Sequence, residues 1–193
     1  MRDDSALTTA VLTAERWPDL ETLFGRSGAC SGCWCVWFRK PAAAFAADGN
    51  AGNRAHLRRL VDGGEEPGLL AYRGGRPVGW VSVGPREAFG RILRSPIVRP
   101  VLADAPQPAW SVVCFFVDRA ARGSGLHAPL LAAAVDHARE RGAASVEGYP
   151  WDPAARPVDA AGAYHGLVGT FTAAGFVEVA RASPARPVVR RLG

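Results

Sequence analysis

Apolar positions along the chain fall into two rhythms. From Leu126 to Ala138 they recur at helical spacing. Leu126, Leu130, Leu131, Ala134, Val135 and Ala138 share one face, Asp136, Arg139 and Glu140 take the other, and Gly142 marks the stop. Just upstream, "WSVVCFFV" is a near-continuous apolar run, the pattern of a strand covered on both faces. "GLLAYRGGRPVGWVSVG" reads as two short strands around the turn "RGGRP", a hairpin. "ASVEGYP", "FVEVAR" and "PVVRRL" supply further strands, and "AYHGLVGTFTAAGF" a weaker helix ending at Gly175.

The N-terminal third is less regular. Leu7 to Glu15 suits a first strand. "WPDLETLFG" suits a short helix with Pro18 at an early position. "GNRAHLRRLVDGG" places Leu57, Leu60 and Val61 at helical spacing, with Asn53 as the expected cap. Between them "CSGCWCVWFRK" is compact, aromatic and irregular. The segment from Pro85 to Pro108 carries Arg86, Arg91, Arg94, Arg99 and five prolines, and predicts a long irregular connection with one helical turn. The whole order predicts a mixed α/β sheet of six or seven strands. One domain over 1–193 is expected, with the Arg/Pro-rich insert at about 85–109.

Composition narrows the function classes. Hydrophobic residues make up 48% of the 193 and charged residues 21%, an ordinary globular balance, and no apolar stretch approaches a membrane span. "MRDDSALTTA" is acidic and polar where a secretory leader is basic and then apolar, so a cytoplasmic location is expected. The net charge of +5 comes from scattered arginines, since Lys40 is the single lysine. Nucleic-acid binding calls for a basic stripe or tail, and none is evident; scattered Arg suits a phosphate-bearing small molecule as well. Cys30, Cys33, Cys35 and Cys114 are the cysteines. Reduced thiols are expected, and the C-x-C spacing without a second C-x-x-C argues against zinc, so no metal is expected.

The chemistry concentrates in "VDRAARGSGLHAPLL". "GSGLHA" matches the dinucleotide pattern G-x-G-x-x-A, but five residues separate Val117 from Gly123, where that fold turns directly after its strand. Small residues at Gly123, Ser124 and Gly125, ahead of a helix N-terminus, let backbone N–H groups from Arg122 to His127 form a nest for a pyrophosphate.

The same residues resemble motif A of the GNAT superfamily of N-acetyltransferases, with Arg122 at its first position, Gly125 at its fourth and Leu130-Leu131 behind. His127 departs from the small residue usual there. "FTAAGFVEV" is similar to the family's second mark, an aromatic four residues before Gly-Phe, and the resemblance covers roughly Leu69 to Arg191. "CWCVWFRK" and the Arg-rich insert resemble a bacterial subgroup with an N-terminal CWC segment.

The resemblance implies a mostly antiparallel sheet with helices on both faces. It also implies acetyl-CoA as cosubstrate and direct attack by a small-molecule or polypeptide amine. Backbone groups of Phe115, Phe116 and Val117 and the loop Arg122, Gly123, Ser124, Gly125, Leu126 and His127 would hold the coenzyme. The family's thiolate acid is a tyrosine where this chain has Phe171. Tyr164, seven residues earlier and on a similar helical face, is the substitute. For the base, Glu147, His165 and a water chain stay open. Cys33, Trp34, Cys35 and Trp37 are expected at the acceptor pocket, with core packing of Trp34, Trp37 and Phe38 the alternative. His56 and His137 read as helix-surface residues. Neither nucleic acid nor membrane is an expected partner, and the chain is expected as a monomer or homodimer. A non-catalytic acyl-CoA sensor or scaffold of the same fold is the rival reading.

Overall fold

In a computed structural model, which describes residues 6–96, 98–101, 103–158 and 163–193, seven strands form one sheet. They are β1 (Leu7–Val11), β2 (Gly68–Arg73), β3 (Arg76–Pro85), β4 (Ala109–Val117), β5 (Ser145–Gly148), β6 (Val177–Ser183) and β7 (Arg186–Leu192). Their order is β1-β2-β3-β4-β5-β7-β6. Every pairing is antiparallel except β4 with β5. The helices are α1 (Trp17–Phe24), α2 (Ala42–Asp62), the single turn α3 (Gly90–Leu93), α4 (His127–Glu140) and the short α5 (Val168–Ala173). This is the mixed sheet of six or seven strands that the pattern predicts, mostly antiparallel and with helices on both faces as the resemblance implies. Among the described residues no helix is long and apolar enough to cross a membrane.

Period-two alternation divides the core. Leu69, Ala71 and Val81 face α4, whose Leu126, Leu130, Leu131, Ala134, Val135 and Ala138 are all buried. Their neighbours Leu70 and Trp80 face the other way, against Trp17, Leu20 and Phe24 of α1 and Leu57 and Val61 of α2. The β2–β3 turn uses Gly74 and Gly75 at positive φ, the conformation glycine adopts without a Cβ clash.

Several expectations are corrected. α2 begins ten residues before Gly52, broken at Gly49, where φ is 55°. Asn53 is therefore no cap. It is buried inside α2, donates to Gly32 O at 3.0 Å and accepts from Lys40 Nζ at 2.9 Å. Lys40 itself is buried and paired with Asp48. His137 is buried rather than on the surface, edge-on to Trp110 and 3.5 Å from Glu66. The weak helix near Gly175 covers only α5, because Gly166 takes φ of 75° and turns the chain ahead of it.

The insert is a packed structure. It makes three short turns, and its Phe89, Ile92, Val98 and Val101 join Val113, Tyr149 and Val188 in a third apolar cluster. Beneath it lies Glu147, fully buried. Arg190 reaches one carboxylate oxygen through Nη2 at 2.9 Å and Nε at 3.1 Å, and Arg86 reaches the other at 3.3 Å. Tyr149 donates to Glu147 at 3.2 Å, and its hydroxyl also meets Ser111 at 2.8 Å. Burial first, and then the Glu147 charge, push the Tyr149 phenol up and keep it protonated. Arg190 also donates to Val101 O and Asp104 O, so one guanidinium ties β7 to β5 and to the insert. Glu147→Ala leaves two buried guanidinium groups short of their carboxylate and is expected to cost about 3–5 kcal/mol of stability, read from the urea midpoint.

Candidate functional site

β4 pairs with β5 only through Ala109–Val112. Beyond that the two strands part. Gly148, the last residue of β5, has no room for a side chain, since a Cβ there would sit 2.2 Å from the Phe171 ring. The open edge of β4 is met by other groups. Tyr164 O accepts from Phe115 N–H at 2.6 Å, His165 Nδ1 lies 3.3 Å from Val113 O, and Arg122 Nε donates to Val117 O at 3.3 Å. Of the three strand residues expected to serve the coenzyme, Phe115 and Val117 thus turn backbone groups to the open edge. Phe116 does not. It stands opposite Trp80 of β3, and alternate residues point to opposite edges, so its backbone faces β3 while its ring enters a cavity.

The loop after β4 starts with a turn capped by Asp118, which accepts from Ala120 N–H at 2.8 Å. Arg122 is extended, Gly123 and Gly125 lie at φ of 75° and 76°, and Ser124 Oγ donates back to Ala121 O at 2.6 Å. Among the described residues none accepts from the backbone N–H of Gly123, Ser124, Gly125, Leu126 or His127. A Cβ built at Gly123 or Gly125 meets nothing within 4 Å, so the loop's outer side is open. Leu126 is buried and anchors the start of α4. The His127 ring is turned onto Phe115, 5.1 Å between centroids, and burial lowers its pKa, so it is neutral near pH 7. Packed this way the ring does not fill the loop.

On the other side of β4 lies a cavity of about 290 Å³. Aromatic rings of Trp37, Phe38, Phe45, Phe116 and Tyr164, the His165 ring and all four cysteines line it. One wall is the 25–40 segment, where Ala29, Ser31, Trp34 and Cys35 hold positive φ without being glycine. Four such residues within seven form a strained wall held by its surroundings. Trp34 packs rather than lines: it is 4% exposed, stacked on Trp17, and its Nε1 donates to Asn50 Oδ1 at 2.6 Å. Cys33, Cys35 and Trp37 do line the cavity. Sequence reasoning did not place Cys30, Cys114 or Phe45 at the cavity, and it offered Phe116 for its backbone rather than its ring. The apolar run around Phe116 carried no sign of which ring would face outward.

The thiols form a row. Cys35 Sγ lies 3.8 Å from Cys114 Sγ, and its one S–H is shared between Cys114 and Cys33, whose pKa is lowered to about 6 chiefly by that contact. Cys33 Sγ has its own acceptor in Gly28 O at 3.9 Å. Cys35, donating in the interior, has its own thiol pushed up. Among the described residues no group of three or more His, Cys, Asp or Glu is placed to hold a metal.

Tyr164 and His165 sit at the junction of cavity and open strand edge. The Tyr164 ring is parallel to Phe116, and burial and a hydrogen bond to Cys30 raise its pKa. For His165 Nδ1 to satisfy Val113 O it must carry the proton, which makes Nε2 the basic nitrogen. Glu147, the third catalytic candidate, is not brought to them. It does not line the cavity, and its carboxylate is committed to Arg86 and Arg190. Two of the insert's arginines, Arg86 and Arg91, bind within the chain. Arg91 Nε donates to Lys40 O at 2.8 Å and its guanidinium lies 3.6 Å over Trp37.

A family model described as "Acetyltransferase (GNAT) family" matches residues 26–158. No curated protein sequence matches the chain. Among solved structures, a mosquito arylalkylamine N-acetyltransferase, like 5b, aligns with a TM-score of 0.58 over 97% of this chain and 100% of that one, at 12% identity. The PaiA N-acetyltransferase of Thermoplasma acidophilum, in complex with coenzyme A, gives 0.55 over 97% and 99%, at 7% identity. The polyamine N-acetyltransferase of Drosophila melanogaster, which catalyses the formation of N-acetylagmatine, gives 0.55 over 96% and 97%, at 14% identity. At these identities the likeness establishes the fold.

Iodoacetamide alkylation provides a check on the thiol row. The thiolate is the nucleophile, so the fast phase should rise through about pH 6 and level off above it. Cys33→Ser should remove that phase and leave slower alkylation that needs higher pH.

Proposed function

The chain belongs to the acetyltransferase (GNAT) family, and on that premise we propose that it transfers an acetyl group from acetyl-CoA to a primary amine by direct attack. The observation that carries this reading is the loop after β4. Five consecutive N–H groups, from Gly123 to His127, have no partner among the described residues and lead into α4 beside the open edge of β4. Consecutive N–H groups at a helix start suit a pyrophosphate, and the open side of Gly123 and Gly125 leaves room for one. The exposed Arg122 guanidinium adds positive charge at the same place.

Acetyl-CoA supplies an activated thioester. The chain supplies the rest. Its cavity receives the amine, a small molecule in this reading, beside the β4 edge. His165 Nε2 takes the ammonium proton, and Tyr164, kept protonated by its raised pKa, returns a proton to the departing thiolate. Phe171 has no hydroxyl and serves as packing beneath Gly148. Solved neighbours named for arylalkylamine, polyamine and agmatine chemistry support an amine acceptor. The CWC segment supports a place among bacterial members that carry it. A coenzyme-binding sensor is the second reading, favoured by one observation: Tyr164 O already holds Phe115 N–H, a donor on the open edge of β4.

Calorimetric titration tests the binding step. Acetyl-CoA is expected to bind in the micromolar range, and Gly125→Glu to abolish binding by setting a carboxylate in the nest. Unchanged affinity in that variant would overturn the loop assignment. Release of coenzyme A thiol with an amine present separates transfer from sensing. Tyr164→Phe is expected to lower kcat about tenfold or more with coenzyme affinity unchanged; an unaltered rate removes Tyr164 as the acid.

A further inference from the structure

Two sulfurs from distant parts of the chain meet at the cavity wall. Cys35, in the 25–40 segment, and Cys114, on β4, hold their Sγ atoms 3.8 Å apart across 79 residues of sequence. Both are free thiols, and both line the cavity. Packing fixes each of them. Cys35 is 4% exposed and lies between Trp34, stacked on Trp17, and the fully buried Val36. Cys114 stands opposite Ser82 in the pairing of β3 with β4. While sheet and wall stay folded, the two sulfurs cannot drift far apart.

They differ in reach. Cys114 is half-buried, whereas Cys35 is buried. A small oxidant entering the cavity of about 290 Å³ therefore meets Cys114 more readily. Cys35 is placed as the second thiol, already in contact, so its step is intramolecular. The backbone supplies a separate observation. Trp34 and Cys35 hold φ of 44° and 53° without being glycine, a conformation that costs energy and persists where the surroundings impose it. The insert braces this wall from behind through Arg91. A bond from Cys35 to Cys114 would brace it from the cavity side.

We propose that Cys35 and Cys114 are a peroxide-sensitive dithiol, reduced at rest and converted by a hydroperoxide into a disulfide that ties the cavity wall to β4. The Cys114 sulfur attacks one peroxide oxygen and the O–O bond breaks. The other oxygen leaves as water or alcohol with the thiol's proton, and a sulfenic acid remains on Cys114. The Cys35 sulfur then attacks that sulfur. The S–S bond forms, and hydroxide leaves as water with the Cys35 proton. Two thiols are oxidised and one peroxide is reduced. A thiol reductant reverses the change by exchange.

The experiment treats the full, folded chain with hydrogen peroxide, blocks the remaining thiols with iodoacetamide and maps tryptic peptides without reductant. Cys30, Cys33 and Cys35 share the peptide 27–39, and Cys114 lies in 95–119. The two peptides are expected to be joined, with titratable thiols falling from four to two and returning with dithiothreitol. Cys35→Ser and Cys114→Ser should each abolish the joined pair, and Cys30→Ser and Cys33→Ser should keep it. A link within 27–39, a joined pair that survives Cys35→Ser, oxygen gained on single cysteines without a link, or four unreacted thiols overturns the assignment. Hydrogen exchange tests the tie itself. In the oxidised protein the amides of 27–39 should exchange severalfold more slowly, with the loop 122–127 unchanged. Unchanged or faster exchange in 27–39 overturns the bracing of the wall and leaves the dithiol in place.

Discussion

Beyond Val112, one edge of the fourth strand has no neighbouring strand among the described residues, and its backbone groups must be satisfied some other way. Buried N–H and C=O groups are seldom left without partners. Here a turn of chain ahead of α5 supplies a carbonyl and an imidazole, and the glycine loop supplies a guanidinium. That requirement brings Tyr164 and His165 to the cavity mouth and fixes Arg122 beside the strand. The parting itself is built in by packing. Phe171 occupies the space over Gly148, where any larger residue on β5 would meet its ring. The cavity, the open edge and the loop are three results of one interrupted pairing.

A second anchor acts at a distance. Glu147 holds Arg86 and Arg190, Arg190 holds two carbonyls of the insert, and the insert reaches forward through Arg91 to Lys40 O and the face of Trp37. The Arg91 N–H also donates to Phe38 O at 3.1 Å. The strained wall of the cavity is thus braced from behind by a segment rich in arginine and proline. Such a wall needs bracing, because four non-glycine residues with positive φ do not hold their conformation by local preference.

What the sequence revealed follows from how local each signal is. The α4 stripe, the β2–β3 hairpin and the glycine loop rest on spacing within a dozen residues, and each is found where the pattern puts it. The start of α2 was hidden because "PAAAFAADGN" carries no apolar stripe; it is held from outside, by Lys40 paired with Asp48 and Asn53. Asn53 has the chemistry of a cap, and only tertiary contacts turn it into an interior link. Tyr164 was sought on a helical face, but Gly166 takes the left-handed conformation and ends that geometry. Glu147 looks like a base in sequence because its two arginines lie about 60 and 40 residues away in the chain. The thiol row escapes for the same reason: Cys114 reaches Cys35 across 79 residues.

The buried Lys40 has a consequence for the protein's own chemistry. A thioester in solution slowly acylates any accessible lysine, and a protein that gathers acetyl-CoA raises the local supply. This chain contains one lysine, and its side-chain nitrogen is buried between Asp48 and Asn53, out of reach. Arginine carries the remaining side-chain cations, and a guanidinium is too weak a nucleophile to be acylated under these conditions. The side chains that give the surface its positive charge are therefore inert toward the donor the protein is read to use.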